Sequence, residues 1–267
     1  MSALEKYEQR VEQANTLLCV GLDSDLRFMP RHFRDDAFPQ FAFNRWVIEQ
    51  THNYVCAYKP NIAFYEARGD RGLSELKMTI DYLRERHPAI FTICDAKRGD
   101  IGSTNSGYVE AIFDWLNFDA VTLNPYLGKS AVQPFLDRTD KCSIVLCRTS
   151  NPGARELQDL VVDGKPLWLI VAEKVAQEWN ANSNCMLVAG ATYPAELKTI
   201  REAVGDMPLL IPGVGAQGGN VQRAVESGLS STQRGILLNS SRSIIFADNP
   251  GAAARQLRDE INHCRKP

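Results

Sequence analysis

The sequence predicts a (β/α)8 barrel, an α/β fold, formed as a single domain by residues 1–267. Eight short apolar runs, each four to seven residues long and rich in Val, Ile, Leu and Cys, recur along the chain. Such runs are typical of strands that are buried on both faces of a parallel sheet. Stretches with helical spacing separate most of these runs, and about 250 residues is the usual size of a (β/α)8 barrel.

The predicted strands lie at 16–22, 54–58, 90–94, 120–123, 142–147, 185–189, 208–211 and 235–238. The predicted helices lie at 41–51, 73–86, 105–116, 129–136, 167–179, 195–203, 220–226 and 252–261. Two longer connections, 23–39 and 150–165, are interpreted as loop insertions, and the ends at 1–7 and 263–267 are left unassigned. A doubly wound sheet is the alternative fold, but it usually carries a G-x-G-x-x-G loop where this chain has GLDSD at 21–25.

Composition and charge exclude several classes of protein. The chain has 44% hydrophobic and 23% charged residues, an ordinary globular mixture, so intrinsic disorder is not expected. Its formal net charge is -2, whereas binders of nucleic acid or of anionic membranes normally carry a basic excess. No apolar run reaches the roughly 18 residues of a membrane span. Because the charged N-terminus has no signal-peptide core, we expect a cytoplasmic protein.

Cysteine and histidine usage favours neither disulfides nor a metal site. Six of the seven cysteines lie inside apolar runs and no C-x-x-C pair occurs, which is typical of small buried hydrophobic residues in a reducing compartment. The four histidines are scattered along the chain, so neither a His-centred triad nor a zinc site is predicted.

Charged residues follow several of the predicted strands. Asp23 follows the first strand, Lys59 follows the second, and the segment DAKRGD at 95–100 follows the third. The alternation of side chains along a strand predicts that Asp95 and Lys97 share one side, while Asp100 falls in the turn beyond. Polar residues at the carboxyl ends of barrel strands are the usual functional residues, so these residues form the first candidate site.

The chemistry of this cluster indicates a decarboxylation without a cofactor. A lysine between two carboxylates keeps its ammonium form, which makes Lys97 a poor Schiff-base nucleophile and a good proton donor. An ionised Asp95 would repel a substrate carboxylate placed against it. Loss of that carboxylate as carbon dioxide would relieve the repulsion and leave a carbanion facing Lys97.

Two further segments favour binding of a phosphorylated substrate. The segment PGVGAQGG at 212–219 follows the seventh strand and opens a helix, so backbone N–H groups there can approach an anion. Arg242 follows the eighth strand and can hold a phosphate with two hydrogen bonds. Past the fifth strand, Ser150 could hydrogen-bond the edge of a polar ring.

These motifs resemble those of the orotidine 5'-phosphate decarboxylase family. The resemblance is carried by D-x-K-x-x-D-I at 95–101, PGVGAQGG at 212–219 and RSI at 242–244. The segments 149–154 and 190–194 resemble the longer, bacterial-type (type 2) branch. One departure is Gly102, where many members of the family have proline.

The resemblance implies conversion of orotidine 5'-monophosphate to uridine 5'-monophosphate and carbon dioxide in de novo pyrimidine biosynthesis, without a metal or an organic cofactor. Lys97 would protonate C6 of the pyrimidine, Asp95 would lie against the departing carboxylate, and Lys59 would complete the charge network and contact the ribose. Asp100 and Thr104 would reach the ligand of the neighbouring protomer, so the resemblance implies a homodimer.

The remaining residues implied by the resemblance bind the substrate. Asp23 would bind a ribose hydroxyl, Ser150 would read the pyrimidine edge, and Ile101 would line the ligand. Gly215, Gln217 and Arg242 would hold the phosphate.

Two other functions remain open at this point. A related phosphate-sugar barrel, either a magnesium-dependent keto-acid-sugar decarboxylase or an aldol-type synthase, would carry an acidic metal ligand near the end of the second strand. That place holds Lys59-Pro60-Asn61, which would repel a cation. A non-catalytic nucleotide sensor on the same fold is the other alternative, against which the presence of Asp95, Lys97 and Asp100 argues.

Overall fold

The computed structural model describes residues 1–213 and 220–265, and within these ranges eight parallel strands close into a barrel. The strands are β1 Leu18–Val20, β2 Ala57–Tyr58, β3 Phe91–Arg98, β4 Ala120–Leu123, β5 Cys142–Arg148, β6 Cys185–Ala189, β7 Leu209–Pro212 and β8 Ile236–Ser240. Each strand pairs with its neighbours along the chain, and β8 pairs with β1. The closed sheet confirms the predicted fold and shows that the doubly wound alternative is wrong.

Every residue of β1, β4 and β6 is buried, as expected of strands that pack against side chains on both faces. All seven cysteines are free and six of them are buried, which agrees with their interpretation as core residues. No helix in the described ranges is long and apolar enough to cross a bilayer.

Helices alternate with the strands. The α-helices are Ala3–Ala14, Arg31–Arg34, Pro39–Thr51, Ala63–Glu66, Gly69–Arg86, Gly102–Val109, Lys129–Leu136, Arg155–Gln158, Leu167–Lys174, Pro194–Val204, Val221–Gly228, Arg242–Ile245 and Pro250–Cys264, with 3₁₀ turns at His52–Tyr54 and Pro152–Ala154. Two of the predicted helices, 105–116 and 167–179, end in π-helical turns at Glu110–Trp115 and Val175–Trp179.

The N-terminal helix, Ala3–Ala14, covers the amino-terminal end of the barrel. A capping box starts it: the hydroxyl of Ser2 accepts from the Glu5 amide, and the Glu5 carboxylate accepts from the Ser2 amide. Its buried face places Lys6 Nζ 2.7 Å from a carboxylate oxygen of Asp119. The hydroxyl of Tyr7 donates to the carbonyl of Ile236 at 3.1 Å.

The two predicted insertions differ in how they fold. The 23–39 segment packs onto the barrel through Phe33, whose ring centroid lies 5.4 Å from those of Phe43 and Trp46. The 150–165 segment contains the 3₁₀ turn, the helix Arg155–Gln158 and one strand of the antiparallel pair Val161–Val162 and Lys165–Pro166.

Candidate active site

The carboxyl ends of the strands surround a cavity of about 480 Å³, a size typical of small-molecule sites. Six of the predicted site residues line this cavity: Asp23, Lys59, Asp95, Lys97, Ser150 and Arg242. They come from the ends of five different strands or from the loops that follow them. The structure therefore brings the proposed reacting groups and the proposed phosphate ligand Arg242 into one site.

Three other predicted residues lie outside the lining of this cavity. Asp100 turns back on its own backbone, where a carboxylate oxygen accepts from the amide of Ile101 at 2.7 Å. Ile101 and Thr104 are exposed. Gly215 and Gln217, predicted to hold a phosphate, lie outside the described residues.

A lysine–aspartate–lysine network forms the centre of the site. One oxygen of Asp95 lies 2.8 Å from Lys59 Nζ, and the other lies 2.5 Å from Lys97 Nζ. Lys59 is buried, whereas about half of the Lys97 side chain is exposed. Lys97 is therefore the member of the network whose charge remains accessible from the cavity.

The network maintains both of its buried partners in their charged forms. Burial alone would raise the pKa of Asp95, but the attraction of Lys59 and Lys97 outweighs burial and holds that pKa well below its ordinary value. Burial alone would lower the pKa of Lys59, but the negative charges of Asp95 and Asp23 raise it instead. At neutral pH the site thus presents a fixed carboxylate, as the sequence analysis expected of Asp95.

Lys97 reaches Asp95 by a different route from the one predicted. Simple strand alternation would require an unbroken ladder, but the pairing of β3 with β4 shifts register between Cys94 and Arg98. Lys97 adopts a left-handed backbone conformation with φ 50° within this irregularity. A β-bulge, rather than the pleat, therefore aims the Lys97 side chain at Asp95.

Sequence reasoning missed two polar residues that contact Asp95. The hydroxyl of Thr122 in β4 donates to Asp95 at 3.0 Å, and the Asn61 amide nitrogen lies 3.5 Å from the other carboxylate oxygen. Threonine is common in strands, so one threonine in the run AVTL carries no distinctive signal. Asn61 follows Lys59 by two residues, and this alternation is a signal that could have found it.

Two further polar atoms at the cavity come from the ends of β1 and β8. Asp23 Oδ1 and Asn239 Oδ1 are buried and have no hydrogen-bond partner among the described residues. Both residues line the cavity, so a ligand hydroxyl or amide could satisfy them. Gly21 allows the ends of β1 and β8 to lie close together, because a Cβ at this position would lie only 1.9 Å from Ser241 Oγ.

The 150–165 segment is fastened to the end of β5. The side-chain amide of Gln158 donates to the Thr149 hydroxyl at 2.8 Å and accepts from the Thr149 amide at 2.9 Å. The buried guanidinium of Arg148 stacks 4.2 Å from the ring centroid of Tyr193. Gln158 also lines the cavity and was not predicted, because its contact depends on the path of the loop.

The donor set around the cavity is unlike that of a metal centre. Across the described ranges, no group of three or more His, Cys, Asp or Glu side chains is placed to hold a metal ion. The ammonium of Lys59 lies where the related magnesium-dependent barrels were expected to carry an acidic ligand.

Comparisons with known proteins identify the family of this chain. Residues 16–257 match the model of the orotidine 5'-phosphate decarboxylase / HUMPS family. Proteins named orotidine 5'-phosphate decarboxylase from Cellvibrio japonicus and Thermomicrobium roseum are 45% and 47% identical to this chain, covering 99% and 100% of it and 100% and 97% of their own lengths. The solved OMP decarboxylase of Leishmania donovani is 39% identical, with a TM-score of 0.90 and coverage of 99% of both chains. This chain therefore belongs to the orotidine 5'-phosphate decarboxylase / HUMPS family.

Proposed function

We propose that this chain converts orotidine 5'-monophosphate to uridine 5'-monophosphate and carbon dioxide in de novo pyrimidine biosynthesis. The observation that carries the proposal is the Lys59–Asp95–Lys97 network, which lines the same cavity as Arg242. A phosphate held at Arg242 would place the rest of the nucleotide toward this network. The names of the relatives from Cellvibrio japonicus and Thermomicrobium roseum support the same substrate.

The reaction follows from the charges in the network. The substrate carboxylate lies against ionised Asp95, and the two negative charges repel each other. The bond from C6 to the carboxylate breaks, carbon dioxide leaves, and the electron pair stays on C6. Lys97 then donates a proton from its ammonium to C6 and regains one from water. Lys59 keeps Asp95 ionised throughout and contacts the ribose. These steps require neither a metal nor an organic cofactor.

The remaining polar residues bind the nucleotide in this proposal. Asp23 accepts a hydrogen bond from a ribose hydroxyl, a role supported by its unpartnered buried oxygen. Ser150 reads the edge of the pyrimidine. Arg242 holds the phosphate together with Gly215 and Gln217.

A homodimer completes each site in this proposal. Asp100, Ile101 and Thr104 of one protomer reach the ribose end of its partner's ligand. Their position outside the cavity lining of their own chain supports this role. Exposed apolar side chains of Ile101 and, in the loop after β4, of Tyr126 and Leu127 support an interface there.

We also propose a cytoplasmic location, which suits a chain with seven free thiols.

A spectrophotometric assay tests the proposed reaction. Mixing the purified protein with orotidine 5'-monophosphate should cause a steady loss of the substrate's absorbance, in buffer and in excess chelator alike. Binding without loss of absorbance would point to a nucleotide sensor, and loss of activity in chelator would point to the magnesium-dependent class.

Orotidine without its phosphate should turn over poorly, because binding energy at the phosphate is used to hold the ring against Asp95. An equal kcat/KM for the two substrates would contradict this coupling.

A further inference from the structure

We propose that Thr122 is a positioning residue, whose hydroxyl sets the backbone of the 95–97 segment and so holds the Lys97 ammonium against Asp95. The inference rests on the proposed decarboxylase function and adds a residue to it. Thr122 lies in the middle of β4 and its side chain is almost completely buried. It contributes to the site from the neighbouring strand rather than from the DAKRGD motif.

The Thr122 hydroxyl uses all of its hydrogen-bonding capacity on this segment. Its oxygen accepts from the amides of Ala96 at 3.0 Å and of Lys97 at 2.9 Å. Its proton is donated to Asp95 Oδ1 at 3.0 Å. A hydroxyl has one proton and two lone pairs, so these three bonds saturate it.

These bonds replace strand pairing that the bulge removes. The ladder between β3 and β4 pairs Cys94 with Val121 and next pairs Arg98 with Leu123. Three residues of β3, 95–97, therefore lie opposite Thr122 alone. Two amides of this segment take the Thr122 hydroxyl as their partner in place of a β4 carbonyl. The left-handed conformation of Lys97 is maintained in this way by a side chain.

The same hydroxyl also fixes which atom donates in its hydrogen bond to Asp95. Because its lone pairs are occupied by two amides, its proton can only point toward Asp95. Asp95 Oδ1 must then accept, which suits the ionised carboxylate and disfavours a proton on that oxygen. Lys97 Nζ contacts the same oxygen at 2.5 Å. Thr122 thus positions Lys97 in two ways. It binds the backbone amide of Lys97, and it orients the Asp95 carboxylate that the Lys97 ammonium contacts.

Substitutions at position 122 separate the hydroxyl from the shape of the side chain. Thr122→Val keeps the volume and removes the hydroxyl, whereas Thr122→Ser keeps the hydroxyl. We expect Thr122→Val to lower kcat by roughly 10- to 100-fold, because small displacements of a reacting group are costly, with KM little changed. Thr122→Ser should retain kcat close to that of the wild type. Thr51→Val, which removes another buried threonine hydroxyl away from the site, is the matched control.

Hydrogen exchange tests the positioning role without relying on activity. The amides of Ala96 and Lys97 should exchange faster in Thr122→Val than in the wild type or in Thr122→Ser. Unchanged exchange and unchanged kcat in Thr122→Val, or an equal loss of kcat in Thr122→Ser, would overturn the inference. If Thr122→Val fails to fold, Thr122→Ala replaces it with the same expected results. A wild type that does not consume orotidine 5'-monophosphate would contradict the proposed function, whereas the exchange result would still test the role of the hydroxyl.

Discussion

At the scale of single residues, Lys97 is both held in place and accessible. Its ammonium lies 2.5 Å from Asp95, and about half of the side chain remains exposed. A proton donor needs both properties, because it must be oriented before the reaction and must reach the substrate during it. Lys59 contacts the same carboxylate but is buried, which suits a supporting charge.

Removal of the Lys97 ammonium should separate binding from chemistry. We expect Lys97→Ala to abolish turnover of orotidine 5'-monophosphate, because the remaining ammonium of the network, that of Lys59, is buried against Asp95. Binding of uridine 5'-monophosphate, measured by calorimetry, should persist because the proposed phosphate and ribose contacts remain. Lys198→Ala, on the exposed face of a helix, should behave as the wild type in both measurements. Measurable turnover by the Lys97 variant would remove Lys97 as the acid.

The sequence predicted those site residues that carry a local signal. Asp23, Lys59 and Asp95 each follow an apolar run, and this position alone places them at the carboxyl ends of strands. Thr122 and Asn239 lie within strands, where a polar residue has no distinctive pattern. Their roles depend on contacts between strands, which a single sequence does not display.

At the scale of secondary structure, the strands were predictable and the N-terminal helix was not. Strands buried on both faces give continuous apolar runs, so all eight predicted runs contain strand residues. The buried face of Ala3–Ala14 includes a charged residue, Lys6, beside Tyr7 and Val11. The partner of Lys6, Asp119, lies more than a hundred residues along the chain. The ion pair that allows this charged face to be buried therefore leaves no local pattern in the sequence.

The ion pair of this helix should make stability depend on pH. Burial alone would raise the pKa of Asp119, but Lys6 and Arg84 hold it below its ordinary value. The ionised carboxylate therefore stabilises the fold above the ordinary pKa of about 4, and this contribution is lost as the pH falls through the lower pKa of the folded state. We expect Asp119→Asn to lower the free energy of unfolding by about 3 kcal/mol at neutral pH, because Lys6 stays buried without a full partner.

Urea denaturation at several pH values measures this effect. The gap between the wild type and Asp119→Asn should shrink as the pH falls below about 4. Asp163→Asn in an exposed turn should change stability little at any pH. A gap that stays constant into acid would show that the charge of Asp119 does not carry its contribution.

At the scale of the whole molecule, the proposed dimer makes a complementation test possible. A heterodimer of Lys97→Ala and Asp100→Ala protomers contains one site with both defects and one intact site. Mixing the two inactive variants with subunit exchange should restore roughly a quarter of the wild-type activity, as random pairing in a twofold dimer predicts. No recovery, with exchange demonstrated by differently tagged protomers, would mean that Asp100 serves its own chain.

The left-handed backbone at position 97 carries a conformational cost. Residues other than glycine adopt this conformation at a cost of roughly 1–2 kcal/mol, and Lys97 adopts it with φ 50°. Glycine would adopt this conformation without the steric cost, but it would carry neither the ammonium nor its attraction to Asp95. Position 97 thus keeps a residue whose charge serves the proposed reaction at the expense of local backbone preference.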